Sequence, residues 1–187
     1  QGSRSALIGP NGAGKTTIFN LLSGIYEVNG GQMILDGVDI TDIPSRDRIN
    51  FGMSRSFQNI RLMPHLSTVE NVMLGQHHLA TSFKDIFYPI GFRPKNKWAE
   101  QARAALSDAG LDTYSGQVVS ELPYGVQKRI EVVRALMSDP KLLLLDEPAA
   151  GLNAAETSEL QTLLEKVSAS GTTLLVVEHD MNFVRNL

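Results

Sequence analysis

Unbroken apolar runs of strand length mark three places in the chain. Leu142–Leu145 and Thr173–Val177 are typical of parallel strands that are covered on both faces, and Ser5–Ile8 has the pattern of a buried strand. Each of the two later runs leads directly into polar residues. We therefore expect a parallel β-sheet that carries polar side chains at the carboxyl ends of its strands.

Helical spacing of apolar residues alternates with these strands. Lys15–Ser23 is predicted to be a helix that ends at Gly24, and Ala154–Ala169 is predicted to be an amphipathic helix. Ser67 and Glu70 form a capping box at the start of another helix. Little strand signal appears over the following seventy or so residues, so we expect a helical block there.

Two weaker strand signals lie between the first helix and this block. Gln32–Leu35 is bracketed by Gly30-Gly31 and Asp36-Gly37, which favours a short antiparallel excursion. Ser54–Phe57 is a second candidate strand, and polar residues follow it directly.

Composition restricts the function classes further. The 187 residues are 42% hydrophobic, which suits one domain with a sizeable core, and the net charge of −3 argues against a broad basic surface for nucleic acid. The absence of Cys excludes disulfides and thiolate metal sites. The chain begins without Met and ends in an apolar-patterned segment, so we expect a domain truncated at both ends.

A phosphate-binding loop joins the first strand to the first helix. It matches the pattern G-x-x-x-x-G-K-[ST], in which glycines let the backbone turn its N–H groups toward a polyphosphate. Lys15 is expected to reach the β and γ phosphates, and the Thr16 hydroxyl is expected to bind Mg²⁺. The predicted nucleotide contacts are Gly9, Pro10, Asn11, Gly12, Ala13, Gly14, Lys15, Thr16 and Thr17.

Two adjacent carboxylates follow the strand Leu142–Leu145. Such a pair is costly to desolvate unless a cation compensates its charge, and the Mg²⁺ of a bound nucleotide would do so. We expect Asp146 to hold this ion, directly or through water. We expect Glu147 to orient and deprotonate the water that attacks the γ phosphate.

Two further polar residues follow predicted strands. His179 comes after the last strand, at the same sheet edge as the carboxylates, and is predicted to contact the γ phosphate. Gln58 is predicted to coordinate Mg²⁺ and the attacking water through its amide. A structural role for either residue is the alternative.

The segment Glu121–Arg129 has the pattern of a capped helix start. A proline at the start and Gly125 nearby leave first-turn N–H groups available for an anion. The pattern by itself is equally consistent with an ordinary helix start.

Taken in order, these motifs resemble those of the ATP-binding subunit of ABC transporters, and the resemblance covers essentially the whole chain. Within that family the chain looks most like the LivG-type ATPases of branched-chain amino acid importers. The motifs that carry the narrower resemblance are Gly9–Thr17, Arg55–Leu62, Pro123–Gly125 and Asp146–Asn153.

The resemblance implies an ATPase that works in pairs. Leu122–Gln127 would be the signature motif, through which Gly125 and Tyr124 contact ATP bound to the opposite subunit. Gly151–Asn153 would lie in the loop that communicates across the dimer, and the segment around Gln58 would sense the membrane subunits.

The resemblance also implies a fold and a location. The fold would be α/β, with a P-loop (RecA-like) core of mostly parallel sheet over residues 1–66 and 139–187, the short antiparallel excursion, and an inserted α-helical subdomain over residues 67–138. The expected cofactors are ATP and Mg²⁺. The expected partners are a second nucleotide-binding subunit, two permease subunits and, indirectly, a substrate-binding protein, at the cytoplasmic face of the inner membrane and without nucleic acid.

The chain departs from the family pattern in the signature motif. Where the common sequence is Leu-Ser-Gly-Gly-Gln, the chain has Pro123 for Ser, Tyr124 for the first Gly and Val126 for Gln. Pro123 offers neither hydroxyl nor N–H, so Gly125 must carry more of the contact. Asn153 replaces the usual Asp of the inter-subunit loop. The aromatic that stacks on adenine would lie upstream of this chain.

Other classes remain open alternatives. They are an ABC ATPase for another transport substrate, a soluble ABC ATPase acting on ribosomes or DNA, a GTPase or small-molecule kinase, and a non-hydrolysing regulator. A GTPase is disfavoured because Ala99 stands where the guanine-reading Asn-Lys-x-Asp motif needs Asp. The presence of Glu147 and His179 disfavours the regulator.

The connection Phe83–Trp98 allows two interpretations. One is an ordinary surface loop. The other is a dock for a helix of the membrane subunit, to which Phe83, Phe87, Tyr88 and Phe92 would contribute.

Overall fold

A computed structural model describes residues 2–10, 12–56, 60–79 and 97–187. The described chain divides into two compact units, one formed by residues 1–58 and 139–187 and the other by residues 59–138. The division into a RecA-like core and a helical subdomain, as folding domains, stays a prediction.

The first unit is built on a four-stranded parallel sheet. Its strands are β1 (Arg4–Leu7), β4 (Met53–Arg55), β5 (Leu142–Asp146) and β6 (Thr173–Val177). They lie in the order β1-β6-β5-β4. Because Leu143, Leu144 and Leu145 are fully buried, β5 shows the two-sided burial that its apolar sequence predicts.

The described residues of this unit form three α-helices. They are α1 (Lys15–Leu22), α5 (Ala154–Ala169) and α6 (Met181–Arg185). Helix α5 begins with a capping box, in which the Asn153 side chain accepts from the backbone N–H of Glu156 and the Glu156 carboxylate accepts from that of Asn153. The predicted helix bounds are confirmed for α5 and agree within one residue for α1.

A small antiparallel hairpin branches from the first unit. Strands β2 (Ile34–Leu35) and β3 (Val38–Asp39) pair across a tight turn, in which Asp36 has φ +50° and Gly37 has φ +80°. Positive φ at both central residues is the signature of a type I′ hairpin turn. The predicted antiparallel excursion is confirmed, although its first strand has two residues rather than four.

A buried arginine links the segment after the hairpin to α1 through hydrogen bonds. Arg48 lies in the 3₁₀ helix Ser45–Phe51, and its guanidinium donates to the backbone carbonyls of Leu21, Ile43 and Thr41 at 3.0, 2.9 and 3.2 Å. The guanidinium also donates to the carbonyl of Leu22, so it satisfies two carbonyls of the last turn of α1, which lack partners within the helix.

The second unit is helical. Over residues 60–79 and 97–138, its helices are α2 (Thr68–Met73), α3 (Lys97–Asp108) and α4 (Tyr124–Leu136), with 3₁₀ helices at Leu74–Leu79, Asp112–Tyr114 and Val119–Glu121. The capping box of Ser67 and Glu70 is present as predicted. Gly75 allows a close approach, since a Cβ built there would lie 2.0 Å from the carbonyl oxygen of Arg134.

The fold class is confirmed, with a mostly parallel sheet, helices and a short antiparallel hairpin. β4 is shorter than its predicted strand Ser54–Phe57, whose last residue lies outside the described chain. Of the predicted connection Phe83–Trp98, residues 83–96 with the four aromatics also lie outside the described residues, whereas Lys97 and Trp98 begin α3.

Candidate nucleotide-binding site

The register of the parallel strands brings the predicted site segments to one edge of the sheet. Leu7 pairs with Val177, and Val177 pairs with Asp146. The residues that follow each of these positions are the phosphate-binding loop, the Glu178-His179 segment and Glu147. The carboxyl edge of an open parallel sheet is where such folds bind ligands.

The phosphate-binding loop turns between β1 and α1 through glycines with left-handed backbone. Gly12 has φ +84° and Gly14 has φ +88°. Gly14 is the N-cap of α1 and provides no side-chain cap, so no capping side chain takes the first-turn N–H groups. Backbone N–H groups at a helix start are suited to bind an anion.

Lys15 folds back over its own loop. Its ammonium group donates to the carbonyl oxygens of Gly9 at 2.6 Å and Pro10 at 2.9 Å, and the residue is buried. Thr16 and Thr17 follow in the first turn of α1 and are exposed. The ammonium is thereby held at the loop, from which it can be offered to a phosphate group. Asn11 lies outside the described residues.

Asp146, the last residue of β5, forms a buried ion pair. Its Oδ2 atom accepts from Nη2 of Arg55 at 2.9 Å. Arg55 is the last residue of the neighbouring strand β4, and both side chains are about nine-tenths buried. The sequence predicted that this carboxylate needs a compensating positive charge. The Arg55 guanidinium supplies it.

Glu147 begins the turn after β5 in an unusual backbone conformation. Its φ is +46°, a left-handed value that costs a side-chain-bearing residue free energy. Its N–H donates to the carbonyl of Val177 at 2.9 Å, and its own carbonyl accepts from Ala150 at 3.2 Å. These bonds hold Glu147 at the point where the chain leaves the sheet.

His179 lies beside Glu147, with 3.8 Å between Nδ1 of His179 and Oε1 of Glu147. The imidazole is more than half exposed. The preceding Glu178 is fully buried; its carboxylate accepts from the backbone N–H groups of Ala149 at 2.9 Å and His179 at 3.2 Å. Glu178 therefore ties the turn after β5 to the His179 segment.

The predicted signature segment belongs to the second unit. Helix α4 begins at Tyr124 directly after Pro123, and the Gln127 side chain donates to the carbonyl of Leu122 at 2.8 Å. Gly125 is buried, whereas Tyr124 is 44% exposed. Burial, and then the Glu131 carboxylate, raise the pKa of the Tyr124 hydroxyl above its ordinary value.

Two residues of the site, Arg55 and Glu178, were not predicted from the sequence. Arg55 contacts Asp146 across 91 positions of sequence, and no spacing rule connects such residues. A basic residue inside a strand of a covered parallel sheet was the available signal, because a buried charge needs a partner. Glu178 offered no comparable signal. Gln58 lies outside the described residues.

The donors at this edge suit Mg²⁺ that arrives with a nucleotide. Within the described part of the chain, no group of three or more His, Cys, Asp or Glu residues could hold a metal ion. Mg²⁺ at nucleotide sites is bound by one or two protein oxygens together with phosphates and waters. Asp146 and the hydroxyl of Thr16 are donors of that kind.

A parallel α/β sheet with a phosphate-binding loop at its carboxyl edge defines a P-loop nucleotide-binding protein. A family model described as ABC transporter matches residues 1–150. The chain belongs to the ABC transporter family, as a nucleotide-binding ATPase subunit. None of the helices that the structure describes has the length and apolar character of a transmembrane span.

Two curated relatives are ATP-binding proteins of high-affinity branched-chain amino acid transport. BraF of Pseudomonas aeruginosa is 42% identical over 97% of this chain and 73% of the relative. LivG of Escherichia coli K12 is 39% identical over the same shares.

Solved structures agree with this assignment. The ADP conformation of the ABC transporter cassette MJ1267 has a TM-score of 0.86 and 28% identity, over 100% of this chain and 74% of that structure. The dimeric bacterial cassette MJ0796 has a TM-score of 0.77 and 27% identity, over 100% and 78%.

Proposed function

We propose that the chain is the ATP-hydrolysing subunit of an importer for branched-chain amino acids. The carrying observation is the 42% identity to BraF over nearly the whole chain, together with a phosphate-binding loop, Glu147 and His179 at one sheet edge. No residue of the site contacts the amino acid in this scheme, so substrate identity rests on the relatives.

In the proposed reaction the loop positions the triphosphate. The N–H groups at the start of α1 bind phosphate oxygens, and the Lys15 ammonium exchanges its carbonyl partners for the β and γ phosphates. Mg²⁺, when bound with the nucleotide, would neutralise phosphate charge from a position held by Thr16 and Asp146. Phosphoryl transfer depends chiefly on this positioning and electrostatic stabilisation.

Glu147 directs the attacking water. Its carboxylate lies 3.8 Å from the His179 imidazole, which places a base beside a group that can contact the γ phosphate. Water donates its proton to Glu147 as its oxygen bonds to phosphorus, and the bond to the leaving ADP oxygen breaks. Gln58 is proposed to orient the same water and to contact Mg²⁺.

The proposed active unit is a pair of chains. Exposure of Tyr124 beside Gly125 at the start of α4 supports a contact with ATP on a second nucleotide-binding subunit. The dimeric form of the similar cassette MJ0796 supports the same arrangement. The pair would bind two permease subunits at the cytoplasmic face of the inner membrane, with a substrate-binding protein acting on its far side.

Transport measured in cells tests this function. The intact gene, expressed with its neighbouring permease and binding-protein genes in a bacterium without its own branched-chain importer, is expected to restore uptake of labelled leucine. Glu147→Gln is expected to abolish that uptake while the protein remains at normal abundance.

A second labelled substrate separates the alternatives. The ribose import protein RbsA of Caldanaerobacter subterraneus is 32% identical, over 34% of its own length. Ribose uptake without leucine uptake would reject the branched-chain proposal and keep the importer class. If the chain copurifies with ribosomes or DNA instead of permeases, the importer class itself is wrong.

A further inference from the structure

Arg55 is a charged residue at the site that the proposed reaction does not use. It ends β4, and its guanidinium lies 2.9 Å from the carboxylate of Asp146. The two side chains are 10% and 11% exposed. An ion pair so far removed from water is stable only when its geometry is good and its remaining donors are satisfied.

The guanidinium is also held from the opposite side. Its Nη1 atom donates to Oδ1 of Asn20 and to Oγ of Ser23, both at 2.8 Å, on and just after α1. The Ser23 hydroxyl donates in turn to the carbonyl of Phe19 at 2.7 Å. The Arg55 guanidinium lies over the Phe19 ring, 5.5 Å from its centroid.

These contacts fix the position of Arg55 independently of Asp146. A cation that binds Asp146 must therefore share the carboxylate with a guanidinium that stays close to it. Two positive groups on one carboxylate repel each other, and they do so more strongly in a buried site than in water. Additional negative charge at the site, such as that of a polyphosphate, offsets this repulsion.

We propose that Arg55 neutralises Asp146 in the nucleotide-free protein, so that a divalent cation binds there only together with a polyphosphate. Arg55 is then a positioning residue that makes metal binding conditional on the nucleotide. The inference rests on the proposed magnesium role of Asp146, although its test requires neither nucleotide nor turnover.

The test is a titration of the intact, nucleotide-free protein with Mn²⁺. Binding is monitored by electron paramagnetic resonance, as the loss of the signal of the free ion. Arg55→Gln removes the positive charge and keeps a hydrogen-bonding side chain. We expect this variant to bind Mn²⁺ about tenfold or more tightly than the original protein, since an opposite charge in contact shifts the proton affinity of a carboxylate by that factor.

Three variants separate this role from a merely structural one. Arg48→Gln removes another buried arginine of the same unit, which donates to the backbone carbonyls of Leu21 and Ile43, and is expected to lower stability without changing Mn²⁺ affinity. Arg55→Lys keeps the positive charge and should bind Mn²⁺ as weakly as the original protein does. Asp146→Asn combined with Arg55→Gln should abolish the gain.

Unchanged Mn²⁺ affinity in folded Arg55→Gln would overturn the proposal, and so would a gain that persists in the double variant. If Arg55→Gln does not fold, Arg55→Met keeps the length of the side chain and decides by the same criterion. The proposed function fails on a different measurement, the uptake of leucine, so the two failures are distinguishable.

Discussion

At the scale of single residues, Glu147 is the group whose loss should separate chemistry from binding. Glu147→Gln keeps the shape of the side chain and removes its basicity, so we expect ATP turnover to fall about 10²-fold or more, the usual size of a general-base contribution. Phosphate release measures turnover, and a fluorescent ATP analogue measures binding, which should survive.

Glu165→Gln is the matched control for this substitution. Glu165 lies on α5 at the surface, where it pairs loosely with Arg4 at 3.9 Å. The Glu165→Gln substitution should leave ATP turnover unchanged. Normal turnover in Glu147→Gln would instead remove Glu147 from the role of base.

Lys15 should matter for binding itself. Lys15→Ala deletes the ammonium proposed to reach the phosphates, and hydrogen bonds to charged groups contribute about 1.5–3 kcal/mol, so we expect nucleotide affinity to fall about tenfold or more. Equilibrium binding of the same fluorescent analogue measures the change.

Lys166→Ala, on the exposed face of α5, serves as the control, with thermal unfolding recorded for both variants. Lys15→Ala also removes the ammonium that donates to the Gly9 carbonyl, and it leaves the Pro10 carbonyl with the backbone N–H of Ala13 as donor, so a small loss of stability is expected. An affinity equal to that of the control would show that Lys15 does not contact the phosphates.

At this scale the sequence predicts a feature best where the chemistry requires consecutive residues. The loop from Gly9 to Thr16 could be predicted because a phosphate needs many N–H donors from consecutive residues. The pair of Arg55 and Asp146 could not, because it depends on β4 lying beside β5, a neighbour relation absent from local pattern. Glu178 was missed because its hydrogen bonds come from the backbone N–H groups of Ala149 and His179, which no side-chain pattern in the sequence marks.

At the scale of elements, the close contact between Gly75 and α4 leaves no room for a side chain at residue 75. A Cβ at residue 75 would lie 2.0 Å from the carbonyl oxygen of Arg134 and 2.9 Å from Cβ of Met137. Since the nearer atom belongs to the backbone, Gly75→Ala must displace the helix, and overpacking of this kind costs about 1–3 kcal/mol. Chemical denaturation measures the free energy of unfolding.

Gly116→Ala is the control in the same unit, because a Cβ there meets nothing within 4 Å and its φ is not left-handed. Its effect should stay within about 0.5 kcal/mol. Equal stability of the two variants would show that the approach at Gly75 is not tight.

Elements with strong local signals were predicted best. The capping boxes at Ser67 and Asn153 determined where α2 and α5 begin, because each satisfies backbone N–H groups at the helix start. The order β1-β6-β5-β4 was not predictable from runs of leucine and valine, since any such strand can pair with any other. It follows from crossover connections and tertiary packing.

At the scale of the whole molecule, a nucleotide site shared between two chains predicts complementation. Lys15→Ala damages the phosphate loop, and Tyr124→Asp places a negative charge at the exposed start of α4, where we propose contact with the partner's ATP. Each variant alone should be nearly inactive.

Equal mixtures of the two should regain about a quarter of the original turnover, because half of randomly formed pairs are mixed and each mixed pair has one intact site. Phosphate release before and after mixing is the measurement. Tyr124→Phe, which keeps the ring without adding charge, should retain activity. A mixture no more active than its components would argue that each site lies within one chain.

The left-handed backbone at Glu147 also has a practical consequence for protein engineering. Asp36 and Asp139 share this conformation, which aspartate visits at lower cost than glutamate does. Glycine would relax the backbone at residue 147 and remove the proposed base. A redesign guided by folding free energy alone would therefore favour glycine at position 147, which gives a more stable protein that lacks the proposed catalytic base. Glu147 should be kept whenever this chain is stabilised.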